Sequence, residues 1–526
     1  MKVFLRMEYP FKSGNNKKES LGIHTANTQF LVNLIKYSRA IEEFGLVVSD
    51  SYEQAALNEL FPDKIVTGHD FNDQKELVSI LQYYDIFFMG GYGIVDILKG
   101  RRFFHNRLSV VGITHSIHLE EVVKSLKGAS EFCSKKDALI CTSSTARKAV
   151  AKIIEGPGNG LKLETIPLGV DVDRYHPIDE RTRRELRARF DWPEGEIIFL
   201  CMGRLSPDEK MELVPLLKAF AELGRISSSG EKARLIIIGR EHNAGYVDIL
   251  SDLIKKLDIE DRVLIISDYD ASHIPLYYGM ADVFVSPSDN IQETFGLSVI
   301  EAMASGLPVI VSDWDGYRDT VADGRTGFLI PTYWADCGFS WGQRFQLAQS
   351  VAVDMDRLIQ SMQALLENRE LRKSMGKAGR QRVESKFSWE KVIKQYDTLL
   401  HEVAAGKRGA PEVDGKAALD PSAIFLNPTD IFKSYPTEFV IKDFCIRIRD
   451  IDGFTAYSNV IQLVDAKMVN HIANLVAGGV GRVGDIVQEL DQAHGVPVQK
   501  TLFQIMIMLK YGVFAPQKIL EDRYPS

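Results

Sequence analysis

The chain has 526 residues, of which 45% are hydrophobic and 25% charged, with a formal net charge of -8. That length exceeds one ordinary core, so two or three globular domains are expected, and the acidic balance argues against broad nucleic-acid binding. The five cysteines (Cys133, Cys141, Cys201, Cys337 and Cys445) include no CxxC pair, which argues against a disulfide framework or zinc site and fits a reducing compartment.

The N-terminal stretch "MKVFLRMEYPFKSGNNKK" has no long apolar core and no cleavage site, so neither a signal peptide nor a transmembrane span is expected. Short apolar runs then alternate with helical patterns. Strands are expected at "KVFLRM" (2–7), "LVVS" (46–49), "YDIFFMG" (84–90), "SVVGITH" (109–115) and "ALICTS" (138–143). A second series comprises "IIFLCMG" (197–203), "RLIIIG" (234–239), "RVLIIS" (262–267), "DVFVSP" (282–287) and "PVIVS" (308–312). Continuous apolar runs mark strands covered on both faces, as in parallel sheets. Helical stretches such as "TQFLVNLIKYSRAIEEFG" and "MELVPLLKAFAELG" separate them. Two such series imply two doubly wound α/β domains, 1–185 and 186–388, joined near "RYHPIDERTRRELRARFDWPEGE" (174–196). A closing helix is expected at 389–406, and the turn-rich stretch 407–422 reads as a linker. Residues 423–526 then form an accessory domain, with a half-buried strand at "DFCIRIRD" and three amphipathic helices.

The most informative stretch is "QETFGLSVIEAMASGLPVIVSD" (292–313). Ser298 and Glu301 have capping-box spacing, and Glu293 fits an ordinary loop carboxylate. A second reading starts from position. The loop after "DVFVSP" faces the ligand crevice of a parallel sheet, and a helix mouth offers free amides to phosphate. In that reading Phe295, Gly296 and Leu297 approach a diphosphate. Glu301 accepts bonds from ribose hydroxyls, and Glu293 meets a sugar beyond the phosphates.

"ETFGLSVIE" resembles the E-x7-E signature of retaining glycosyltransferases of GT-B architecture, most closely glycosyltransferase family 4. "LETIPLGVDVDRYHP" (163–177) resembles the hinge segment of that family, with Leu168 where asparagine is usual, and "MGRLSPDEKMELV" (202–214) resembles its GRL…K segment. "DALICTSSTARKAV" and "GLPVIVSDWDGYRDTVADGRTGFLIP" match in order as well. The resemblance covers about residues 1–405 and leaves 407–526 unaddressed. It implies two Rossmann-like domains facing a cleft, the first binding the acceptor and the second a UDP- or GDP-sugar. A cytoplasmic location, or one peripheral to a membrane, fits such an enzyme.

The same resemblance assigns Arg204 and Lys210 to the diphosphate, where fixed positive charge offsets the leaving group. By their residues alone both follow strand "IIFLCMG" at its carboxyl end, where a cleft for a diphosphate needs such charge; an ordinary solvated pair at a helix start is the alternative. His115, otherwise a structural histidine at a strand end, would point at the donor sugar. His118, three residues on, lacks further ligands for a zinc site. Gly22 stands where the family has a glycine-rich loop near the donor phosphate or acceptor, although the polar insertion "KSGNNKKES" precedes it and a simple N-cap turn reads equally well. No metal and no cofactor beyond the donor are expected; Asp313 and Asp315 follow a second-domain strand where the resemblance gives them no metal role. The basic stretch "KGRRFFHNR" (99–107) reads as a solvated loop or as a site for an anionic acceptor or lipid headgroups.

The function expected is transfer of a sugar, with retention, from a nucleotide-diphosphate sugar to a glycan, lipid-linked or protein hydroxyl. The alternatives are another GT-B enzyme, such as a nucleotide-sugar epimerase or a phosphorylase, and a non-catalytic sugar-nucleotide-binding scaffold. The accessory domain suggests a winged-helix-like module, but its 10 Lys and Arg against 11 Asp and Glu give no basic face for nucleic acid. It is expected to pack on the transferase body, or to bind protein or mediate oligomerisation on a swinging linker.

Overall fold

The computed structural model describes residues 1–7, 22–47, 51–69, 74–101, 108–155, 160–190, 192, 195–227, 230–406, 427–451 and 453–517. The expected linker at 407–422, the insertion before Gly22 and most of the basic stretch 99–107 lie outside them. Among the described residues, no helix is long and apolar enough to cross a membrane.

The chain forms two compact units, Met1–Asp171 with Ser385–Leu426, and Val172–Glu384 with Asn427–Ser526. The first unit holds a seven-stranded sheet: β1 (Lys2–Arg6), β2 (Glu43–Val47), β3 (Ile65–His69), β4 (Ile86–Met89), β5 (Ser109–Thr114), β6 (Ala138–Cys141) and β7 (Lys162–Thr165). Their spatial order is β3-β2-β1-β4-β5-β6-β7, and every pairing is parallel. The second unit holds β8 (Ile197–Met202), β9 (Ala233–Ile238), β10 (Val263–Ile266), β11 (Val283–Ser286), β12 (Val309–Ser312) and β13 (Gly327–Ile330). Here the order is β10-β9-β8-β11-β12-β13, again parallel. Each sheet is doubly wound, as expected from the unbroken apolar runs of its central strands.

Three strands of these two sheets were not expected: β3, β7 and β13. All lie at sheet edges. An edge strand has fewer covering neighbours and needs no continuous apolar run, and β7 reads "KLET", half-buried throughout. The helix expected to run on through Gly45 stops at Tyr37, because "EFGLV" pairs with β1 as a buried strand.

The joint falls at Asp171 and Val172, earlier than the expected 185. The cause is Asp282, which receives Arg183 at 2.5 Å and Arg187 at 2.6 Å, tying helix Glu180–Ala188 to the second sheet. The closing helix, Trp389–Ala405, returns to the first unit. Its Tyr396 ring lies 4.7 Å from that of Phe30, and its Asp397 accepts the Ser38 hydroxyl at 2.5 Å and the Arg39 amide at 2.8 Å.

The accessory segment carries the three expected helices, Ala466–Ala477, Val483–His494 and Val498–Lys510. It is not a free-standing module on a swinging tether. β14 (Thr332–Trp334) pairs with β15 (Val351–Val353) and also with β16 (Glu438–Phe439) from the accessory segment. Phe444, Ile446, Ile472, Ile505 and Phe514 share one continuous buried core with Phe199, Leu217, Val285 and Met362 of the second Rossmann-like domain. The apolar load of "LFQIMIMLKYGVF" is spent on that packing.

Candidate active site

The order of the second sheet reverses between β8 and β11, which are paired neighbours. In an open α/β sheet the crevice beyond the carboxyl ends of such a pair is where ligands bind. The segment after β8 carries Arg204 and Lys210; the loop after β11 carries Glu293. The fold thus brings Lys210 to Glu293 although 83 residues separate them.

The Lys210 ammonium donates directly to Glu293 Oε2, with both side chains mostly buried. Burial alone would raise the Glu293 carboxyl, but the charge of Lys210 and its hydrogen bond outweigh it and hold the group below the usual carboxylate range. The Tyr317 hydroxyl lies 3.4 Å from the same Oε2 and 2.9 Å from Ser286 Oγ at the end of β11. Glu293 Oε1 accepts from the Phe295 amide at 3.4 Å. The Arg204 guanidinium rests on Glu209, at 3.3 Å, and Glu209 also receives Arg344 and His242 Nε2, each at 2.9 Å.

Gly296 is the residue before helix Leu297–Ala304 and has φ +93°, a left-handed conformation that favours glycine. A Cβ there would stand 2.3 Å from Tyr317 Cε1. The capping-box reading of Ser298 and Glu301 is not realised: the helix starts one residue before Ser298 and has no side-chain cap. Glu301 instead accepts from the Tyr278 hydroxyl at 3.0 Å. Burial raises its carboxyl to about 7, against the opposing pull of Tyr278, Tyr175 and Arg174. A carboxylate kept away from its helix's own amides stays available to a ligand's hydroxyl groups.

His115 and Gly22 belong to the first unit. His115 follows β5, where burial lowers its imidazole to about 4 and keeps it neutral at pH 7. Gly22 opens helix Gly22–Tyr37, which follows β1. Arg101 of the basic stretch is no anion site: it is buried in an ion pair with Asp137, at 2.5 and 2.8 Å. Asp313 pairs with Arg318 at 2.6 Å and receives Thr437 at 2.7 Å. Among the described residues no group of three or more His, Cys, Asp or Glu side chains is placed to hold a metal.

Sequence reasoning missed Glu209, Tyr278 and Tyr317, which fix Arg204, Glu301 and Glu293. Glu209 stands beside Lys210 in "DEK", and Tyr317 lies in the quoted "SDWDGYRD". Only Tyr278 had no local signal at all.

Residues 182–337 match the family described as "Glycosyl transferases group 1". Over 227 residues the chain is 30% identical to D-inositol 3-phosphate glycosyltransferase of Nocardia farcinica, covering 42% of this chain and 48% of that protein. It is 28% identical over 278 residues to the GDP-mannose-dependent alpha-(1-6)-phosphatidylinositol monomannoside mannosyltransferase of Mycobacterium tuberculosis, covering 52% of this chain and 62% of the relative. The chain thus spans about half the length of the curated relatives it matches. Among solved structures, sucrose-phosphate synthase of Thermosynechococcus elongatus superposes with a TM-score of 0.55 at 20% identity, over 77% of this chain and 99% of that one. HepE of Anabaena, in complex with UDP-glucose, does so with a TM-score of 0.53 at 19% identity, over 76% of this chain and 100% of that one. The fold is therefore GT-B, and the segment that holds the strand-end cluster is the one similar to glycosyl transferases of group 1.

Proposed function

We propose that this chain is a retaining glycosyltransferase that moves a sugar from a UDP- or GDP-sugar to an acceptor hydroxyl. One observation carries the reading: Lys210, on the segment after β8 that also bears Arg204, meets Glu293, on the loop after β11 that leads into Gly296 and the helix of Glu301, where two adjacent parallel strands mark the reversal of sheet order. Arg204 and Lys210 hold the diphosphate and stabilise charge as it leaves. The mouth of helix Leu297–Ala304 adds its first amides. Glu301 takes the ribose hydroxyls.

Glu293 orients the sugar. Its bonds to Lys210 and Tyr317 suit a positioning group better than a covalent nucleophile, so the donor phosphate itself helps deprotonate the acceptor on the leaving-group face. His115, neutral at pH 7, is assigned to the donor sugar as a hydrogen-bonding partner. Gly22 is assigned to close approach by the donor phosphate or acceptor. The acceptor is a glycan, lipid-linked or protein hydroxyl; the relatives named for inositol phosphate and phosphatidylinositol mannoside acceptors make a polyol or its lipid-linked form the first to try. No metal or other cofactor takes part. The five free cysteines favour a cytoplasmic location.

The test is a screen of UDP-, GDP- and ADP-sugars for hydrolysis and for transfer to polyol acceptors, with and without chelator, followed by NMR of the product's anomeric configuration. Turnover that survives chelation and gives the donor's own anomer is expected. An inverted anomer ends the retaining mechanism; failure to bind or cleave any nucleotide sugar ends the reading.

A further inference from the structure

The accessory segment reaches the donor loops through a buried charge. Lys510, the last residue of helix Val498–Lys510, is 1% exposed, and its ammonium meets Asp289 Oδ2 at 2.5 Å. It also donates to the carbonyls of Ala348, at 2.8 Å, and Val351, at 3.1 Å. Asp289, 2% exposed, sits in the loop after β11, four residues before Glu293. Its other oxygen accepts the Glu212 amide at 3.1 Å, two residues after Lys210.

Two more bonds stitch the same loops. Ser288 Oγ donates to the Lys210 carbonyl at 3.1 Å, and Asn290 Nδ2 to the Asp208 carbonyl at 2.6 Å. Asn290 is also the pivot of the turn that aims Glu293: its carbonyl accepts the Glu293 amide at 3.2 Å and the Trp314 indole N–H at 2.9 Å. The accessory segment also holds Glu212 itself. The carboxylate, 1% exposed, accepts Tyr457 at 2.9 Å and Tyr511 at 3.2 Å from that segment, and Tyr246 at 2.8 Å from the Rossmann-like domain.

We propose that the accessory segment is a structural part of the donor half-site, in which Lys510 is a positioning residue that acts through Asp289 on the registry between the Lys210 loop and the Glu293 loop. The inference rests on the donor reading above. Its physical basis is that a buried carboxylate without its cation must be neutralised or rehydrated, and either change moves the turn at Asn290. Displacing a sugar-orienting group by about 1 Å costs up to about 100-fold in rate, with far less effect on contacts made elsewhere on the ligand.

The test uses the full-length chain carrying Lys510→Met, Asp289→Asn, or both. For Lys510→Met the expected result is a fall in kcat for donor cleavage of about tenfold or more. Nucleoside-diphosphate affinity should fall by less than kcat does, since the helix-mouth contacts are kept while only the segment of Arg204 and Lys210 is loosened. Hydrogen exchange in peptides covering 286–297 and 204–213 should quicken while the first unit's sheet is unchanged. The double variant should regain much of the lost rate, because it leaves no unpaired buried charge. If Lys510→Met fails to fold, Asp289→Asn decides: it keeps the shape of the side chain and leaves Lys510 its two carbonyl partners, and it should still lower kcat and quicken exchange in 286–297. Wild-type kcat and exchange in Asp289→Asn, or a rate loss that merely follows loss of folded protein, overturns the inference. A wild-type chain that binds no nucleoside diphosphate sinks the donor reading first and this inference with it, an outcome separate from any comparison among variants.

Discussion

Gly296→Ala puts a methyl group where the structure has no room for one. Residue 296 has φ +93°, and an L-residue in the left-handed region costs about 1–2 kcal/mol. The added Cβ would lie 2.3 Å from Tyr317 Cε1 and 2.6 Å from Cδ1. That ring is fully buried, and its hydroxyl is held by Ser286 at 2.9 Å and by Glu293 at 3.4 Å. It cannot swing away without breaking those bonds, so overpacking adds about 1–3 kcal/mol. The total of roughly 2–5 kcal/mol corresponds to a fall in Tm of roughly 3–8 °C in a unit of this size. Differential scanning fluorimetry measures it, and calorimetry with UDP and GDP follows binding in the same samples. The double variant Gly296→Ala with Tyr317→Leu should recover the steric part and keep the conformational part, about 1–2 kcal/mol. Gly296→Ala with a Tm within about 1 °C of wild type and normal nucleotide affinity would refute both the backbone geometry and the role of the ring as a wedge behind Glu293.

The two glutamates should separate in calorimetry: Glu301→Gln weakens nucleoside-diphosphate binding, whereas Glu293→Gln lowers turnover and leaves binding equal or up to about tenfold tighter, because it frees Lys210 for phosphate. Weakened binding in both variants refutes that division. Glu301, raised to about 7 by burial, gives a pH signature. A raised folded-state pKa makes its contribution to apo stability full at low pH and lost as pH rises through about 7. A ligand that needs the carboxylate reverses this, so wild-type affinity should climb between pH 6 and 8 more steeply than that of Glu301→Gln, and parallel profiles would end the assignment. Truncation after residue 426 should yield insoluble or unfolded protein, since it strips β16 from β14 and uncovers Asp289 and Glu212. A soluble truncated chain with native circular dichroism and nucleotide affinity would show that the accessory segment is dispensable.

Much of this was written in local sequence. Runs such as "IIFLCMG" and "DVFVSP" are apolar throughout because both faces of those strands are covered, so the doubly wound sheets and their strand-end loops could be read directly. "ETFGLSVIE" announced a helix mouth at a strand end, and Gly296 with it, because a turn into a helix leaves a local imprint. Edge strands such as "KLET" left none, since one-sided burial imposes no continuous apolar pattern. The ion pair of Lys210 with Glu293 spans 83 residues and that of Asp289 with Lys510 spans 221. No periodicity encodes contacts at such range; they exist only once β8 and β11 lie side by side and the last helix has packed on β15. Sequence likewise separated 423–526 by its change of pattern and the turn-rich stretch before it. Whether those helices stood alone was a matter of which apolar faces met, and one core shared with the second Rossmann-like domain decided it.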